Sequence, residues 1–366
     1  MADRKPIDQV RGELKIPWYR SPVEPAVLRQ LTKRSDAKGM AQAVGNLLLV
    51  AATGVLTYYL FNQRLWILFT LSLFAHGTFY CFLDSATHEL SHGTVFKTKR
   101  LNGFFLRLIS LIRWVNFHTV KMSHMYHHLY TLHPDGDGEI QLPKNPSLRA
   151  LFLFQMFTFR FDAFIGHVRD TARLIFVGRF RNEWIQTIYA DQEVARRKAI
   201  NWARILVLFH AALIAASIIL KLWLLPVLVT LAPWIAYWGR YFVGLPMHCG
   251  LRDNIPDFRK CVRTIKLGPI FKFVYWRMNY HTEHHMYGAV PFYNLRRLQK
   301  VISFDMPAPQ TLIGAWRQMR VIWHKQEVDP SYQFDTQVPN HDPVGASKQD
   351  ELSSSIGPIA PSTFVR

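Results

Sequence analysis

Cysteine is scarce in this 366-residue chain. The three present, Cys81, Cys249 and Cys261, are odd in number and show no metal-ligand spacing. They exclude a disulfide framework and suit a reducing, cytosol-facing setting. Acidic residues are also few, 25 against 44 Lys and Arg, which leaves a net charge of +19. Such an excess points to nucleic acid, an anionic membrane surface or an acidic protein partner. The basic residues form no single tract and carry no nucleic-acid-binding signature, so nucleic acid is not an expected partner. The opening "MADRKPIDQVRGELKIPWYR" has no apolar core, and no cleaved secretory signal is expected. No repeat of solenoid type is present either.

What the chain does have is apolar surface. Hydrophobic residues make up 49% and aromatics 14%, which favours one membrane-embedded unit over two soluble domains. "VGNLLLVAATGVLTYYLF" (44–61) and "LWILFTLSLFAHGTFYCFLDSA" (65–86) are nearly free of charge and long enough to cross roughly 30 Å of hydrocarbon. A second pair follows, "ARILVLFHAALIAASIIL" (203–220) and "LWLLPVLVTLAPWIAYWGRYFVG" (222–244), with Pro226 and Pro233 expected to kink the last helix. The expected fold class is therefore an all-α integral membrane protein, with four transmembrane helices in two hairpins. Residues 101–117 and 148–168 are apolar but carry Arg107, Arg113, Arg160 and Asp162 in mid-segment, and are expected to lie in the interface. Residues 24–36 are expected to form a short amphipathic helix. Only Arg64 and Lys221 fall in the two short turns between paired spans, so all other basic residues should face the cytoplasm. The domain reading is a cytoplasmic N-terminal segment (1–44), a membrane domain (45–300), a C-terminal cytoplasmic segment (301–335) and a Ser- and Pro-rich disordered tail (336–366).

Nine of the sixteen histidines gather on that cytoplasmic side, as a histidine-rich helical cap. His88 and His92 lie in "HELSH", His124, His127 and His128 in "HMYHH", and His281, His284 and His285 in "HTEHH". His248 stands alone in "LPMHCGL" after the last span. Residues three and four apart share a helix face, so each box presents a claw of imidazoles. Imidazole binds zinc, iron, copper and nickel, and the ligand type alone does not choose among them. Nine candidates are too many for one ion and enough for two. A lone H-x-x-x-H in an apolar protein is more often packing. Three boxes at cytoplasmic ends of spans are not. "HELSH" also matches the zinc-protease signature, with Glu89 as general base. An intramembrane protease needs a third ligand, often an Asp on a later span, and no span carries a convincing one.

The series "HELSH", "HMYHH" and "HTEHH", separated by hydrophobic pairs, resembles the integral-membrane fatty acid desaturase and hydroxylase superfamily. The likeness covers about residues 45–300 and is closest at "MNYHTEHHMYGAVPFYNLRRLQ" (278–299), which looks like the third-box region of bacterial-type acyl desaturases. That resemblance implies a non-haem diiron centre, two Fe ions that activate dioxygen as co-substrate and abstract hydrogen from an unactivated C–H bond. It makes His88, His92, His124, His127, His128, His281, His284 and His285 iron ligands, and His248 matches an additional histidine that some members supply. In those members an Asn four residues earlier holds a water on one iron, whereas this chain has Gly244 there. Glu89, and in the same way Glu283, is expected to accept a hydrogen bond from a ligating imidazole. The implied activity is desaturation of a fatty acyl chain or related lipid. The alternatives are hydroxylation of a lipid or natural product on the same scaffold and, from other classes, an intramembrane zinc metalloprotease or a non-catalytic scaffold. No flavin, nicotinamide or fused haem domain is evident, so electrons are expected from a separate ferredoxin or cytochrome b5. The basic face suits either an acidic donor or anionic membrane lipids. His118 and His133 are expected to pack outside the claws. His76 and His210, inside spans, are expected to be neutral and hydrogen-bonded.

Overall fold

A computed structural model describes residues 5–140 and 149–339 of the protein. The described residues are mostly helical, and the only sheet among them is a parallel pair in which Ile265 faces Gln310 and Lys266 faces Thr311. The tail expected to be disordered falls outside the described residues from 340 onward.

Three helices are long and apolar enough to cross a membrane. The first, α1 (Asp36–Asn62), begins eight residues before the apolar run. Ser35 caps it through a side-chain bond from Lys38 N, and Asp36 places a carboxylate on its first turn. The second spans residues 66–91 as α2 (Trp66–Cys81) and α3 (Leu83–Ser91), joined at Phe82. Seven residues separate α3 from α4 (Lys99–Ile112), which buries Phe105, Leu106 and Ile109 and leaves Phe104 exposed. Next comes α5 (Phe117–Tyr130), and the third long helix is α6 (Glu193–Ile219). Within the amphipathic segment expected at 24–36, a helix covers Pro25–Leu31, and Asp36 already belongs to α1. The stretch at 148–168 divides at Thr158–Arg160 into helices Ala150–Phe157 and Phe161–Val177, with Leu151, Phe154, Phe161 and Ile165 exposed.

The segment read as a fourth span is not one helix. It runs as Leu225–Leu228, a 3-10 turn at Ala232–Trp234, and α7 (Trp238–Gly244). Pro226 and Pro233 each remove a backbone donor, as their positions foretold. What the sequence did not reveal is how the freed groups are repaid. His76 Nε2 donates to Leu228 O (2.9 Å), and Tyr80 OH donates to Val229 O (3.2 Å) and Ile112 O (2.7 Å). His210 bonds Thr230 Oγ1 through Nδ1 (3.0 Å) and Leu111 O through Nε2 (2.9 Å). Arg160 N donates to Trp234 O and Ala236 N to Thr158 O. Non-helical backbone is tolerable in apolar surroundings only when such partners exist. Tyr80→Phe strips one donor from two carbonyls, and should cost about 1–3 kcal/mol. The measurement is the thermal midpoint of the detergent-solubilised protein, and an unchanged midpoint would remove Tyr80 from this role.

The largest hydrophobic cluster wraps the short helices that carry histidine. Leu83, Ala86 and Leu90 from α3 pack with Phe96, Phe105 and Ile109, and with Trp276 and Phe292 from the C-terminal half. Full burial of side chains of this size contributes about 1.5–3 kcal/mol each. The histidine boxes are thus set against the largest hydrophobic cluster among the described residues.

Candidate metal centre

The nine histidines converge from four separate stretches of chain. His88 lies on α3 and His92 at its C-terminal end. α5 carries His124, His127 and His128. His281, His284 and His285 lie on α8 (His281–Met286), and His248 follows the 3-10 turn Leu245–Met247. They sort into two groups. His88, His92, His124, His128 and His284 form one, and His127, His248, His281 and His285 the other, each with its ligand nitrogens within 4.8 Å of one another. The three histidines of each H-x-x-H-H box are shared between the groups, so α5 and α8 lie between the two centres.

The spacing inside each group fits ligands of a common ion. His88 Nε2 is 2.9 Å from His284 Nε2, and His124 Nε2 is 3.0 and 2.9 Å from those of His92 and His128. In the other group His281 Nε2 is 3.0 Å from His248 Nε2 and 3.2 Å from His285 Nε2. Two imidazole nitrogens bound about 2.1 Å from one metal, about 90° apart, are themselves about 3 Å apart.

The outward nitrogens decide what faces inward. His127 Nδ1 donates to Asp137 Oδ2 (2.8 Å) and His124 Nδ1 to Glu139 Oε1 (3.3 Å). His248 Nδ1 donates to Cys261 O (3.1 Å). Thr131 gives its hydroxyl proton to His127 O, and so accepts from His285 Nδ1 at 3.0 Å. With a proton fixed on Nδ1, each of these four rings turns a bare Nε2 lone pair inward, the tautomer a metal ligand requires. Burial, then the charges of neighbouring imidazoles, hold His92, His128, His281, His284 and His285 well below the usual histidine range, so they are neutral near pH 7. Burial also lowers His127, but Asp137 outweighs it and makes this ring more basic. The donor set is all imidazole, largely buried, with four of its rings fixed lone pair inward, and two ions fit it.

A profile of the family described as "Fatty acid desaturase" matches residues 64–315. The chain belongs to the fatty acid desaturase family. No curated protein matches it. The matched region of this desaturase-family chain includes all nine histidines.

Around that site several groups differ from the sequence reading. Glu89 is buried with neither oxygen bonded, its Oε1 3.6 Å from His284 Nδ1. Glu283 does not reach an imidazole. Its carboxylate accepts from Thr264, and burial pushes it up to about 7. The carboxylates that do hold imidazoles are Asp137 and Glu139, in the string "DGDGE" (135–139). Its glycines have a packing reason, since a Cβ on Gly136 would overlap the Tyr130 ring and one on Gly138 the Trp184 ring. Arg263 was also missed. From one buried side chain it donates to Pro246 O (2.8 Å) and Cys249 O (2.6 Å), while its own N–H bonds Met247 O. These three bonds clamp the turn that presents His248. His118 stacks on Phe117 and His133 bonds Thr131 O, both outside the two groups.

A cleft of about 110 Å³ reaches the centre of the desaturase-family protein. His92, His124, His128 and His285 line its floor, with Arg20, Lys121, Met125 and Leu129 on its walls. Trp18 closes one side, stacked on Phe258 at 4.0 Å and donating to Leu129 O.

Proposed function

We propose that this protein is an oxygen-dependent membrane desaturase, in which the nine histidines hold two irons and a fatty acyl chain or related lipid is the substrate. The observation that carries the reading is the division of nine imidazoles into neighbouring groups of five and four. Bound iron supplies the activation of dioxygen that cleavage of an unactivated C–H bond demands. The protein supplies the rest. Asp137, Glu139, Cys261 O and Thr131 orient imidazoles, and the aromatic and aliphatic cluster around α3 excludes water. The four apolar segments cross the membrane in two hairpins, the last as a broken helix, with the boxes on the cytoplasmic side. The excess of positive charge on that side suits docking of a ferredoxin or cytochrome b5.

The test is expression with both electron donors, followed by mass spectrometry of total lipids against cells lacking the chain. A product short of two hydrogens is the expected result and gives the bond position. A product that gains one oxygen makes the protein a hydroxylase instead. No new product, from a preparation that binds zinc and not iron, would sink the reading.

A further inference from the structure

One turn before His88, α3 carries Asp84, and two guanidinium groups converge on it. Arg113 Nη2 donates to Oδ1 at 2.8 Å and Arg240 Nε to Oδ2 at 2.7 Å. Arg113 is further held by Thr87, to whose hydroxyl its Nη1 donates. Among the described residues no second carboxylate lies within ion-pair reach of either arginine. The cluster therefore carries one uncompensated positive charge, partly buried between α3, α7 and the Tyr275 ring. An unpaired charge in such surroundings is costly, and cost of this kind marks a missing partner.

The two arginines are not equivalent. Arg113 is spent on Thr87 and Asp84, with 9% of its side chain accessible. Arg240 keeps 22% of its side chain and Asp84 30% accessible, so a space the size of water adjoins them. Arg240 Nη1 and Nη2 have no acceptor among the described residues, and its guanidinium lies over the Tyr275 ring, 5.6 Å from the centroid. The head group fits there because residue 244 is glycine: a Cβ at that position would overlap Arg240 Nη1. Gly244 is the place where the superfamily resemblance led us to look for an asparagine.

We propose that Arg240, braced by Asp84 and Arg113, binds the anionic oxygen group of an acyl substrate, a carboxylate in the simplest case. This rests on the acyl-oxidising reading above and narrows it. The pair of free guanidinium donors matches a carboxylate edge, and the added negative charge neutralises the Arg–Asp–Arg cluster. Residues 84 and 88 are neighbours on one helix face, roughly 6 Å apart. Asp84 thus places the proposed anion site one helical turn from His88, on the helix that also leads to His92.

The experiment compares decanoate with 1-decanol at pH 8 by titration calorimetry, on full-length protein in an uncharged detergent, with metal content measured in every sample. Wild-type protein should bind decanoate at least about tenfold more tightly, the worth of one charge-assisted contact. Arg240→Gln should bring the two affinities together. Gly244→Ala keeps the arginine and displaces its head group, and should shrink the preference in the same direction. Equal affinities in the wild type, or a preference that survives both substitutions, would overturn the proposal. So would metal loss in both variants, because Arg240 would then act on the metal centre. Metal-free wild-type protein that still prefers decanoate would leave this site standing while the diiron reading fell.

Discussion

On the two-iron reading, His248→Ala should leave one metal ion per chain in place of two. His248 belongs to the four-histidine group, which would fall to His127, His281 and His285. The five-histidine group shares no residue with it. The substitution is also local. His248 stands alone on its turn, on no helix that carries another of the nine, and that turn remains clamped by Arg263, whose side chain donates to Pro246 O and Cys249 O and whose backbone N–H donates to Met247 O. Loss of the groups that merely orient ligands costs about 10–100-fold in affinity or activity, so loss of a ligand from the smaller set should cost more than about a hundredfold in product. Metal content by mass spectrometry and lipid product are read on the same preparation. His133→Ala, which touches neither group, should retain two ions. Two ions retained in His248→Ala would take this residue out of the centre.

Asp137→Asn should weaken metal retention and product formation by about 10–100-fold. Its two oxygens are fully used: Oδ2 accepts from His127 Nδ1 and Leu132 N, and Oδ1 from Glu139 N and Ile140 N. An asparagine has one acceptor oxygen and one donor amide. If its oxygen stays toward His127, the amide confronts two backbone N–H groups. If it turns, the amide donates to His127 Nδ1, forces the proton onto Nε2 and blocks the inward lone pair. Either outcome damages the site. Glu139→Gln should be milder, because that carboxylate is 32% exposed and its bond to His124 is 3.3 Å. Equal losses in the two variants would contradict the ranking. Chelator challenge followed by metal analysis separates them without reference to turnover.

The helices of the site were legible because their signal is local. His124, His127 and His128 share a face by spacing alone, and the apolar runs that became α1, α2 and α6 announce themselves by length. The fourth apolar segment was read correctly as strained and wrongly as one helix. Its prolines are visible, but the donors that satisfy the carbonyls of the broken stretch come from His76 and Tyr80, up to 152 positions away. Asp137 and Glu139 gave no signal because they lie 10 and 15 residues beyond the imidazoles they hold, at no helical spacing from the box. Glu283 was assigned to an imidazole on sequence adjacency. On α8 its side chain leaves the opposite side of the helix and meets Thr264. Arg263 gave no signal at all, since its importance lies in which carbonyls it meets.

The broken fourth segment also bears on how the protein is made. A continuous apolar helix satisfies its own backbone and can leave the translocon for lipid unaided. Residues 222–244 have no such independence, because the carbonyls of Leu228 and Val229 are satisfied by side chains of α2, synthesised about 150 residues earlier. On the four-span reading, this stretch cannot partition stably by itself. It must be received by the hairpin of α1 and α2, already in place. Biogenesis is then ordered by hydrogen bonding, and a ribosome-stalled chain that includes residue 244 but lacks His76 and Tyr80 should remain extractable from the membrane by alkali.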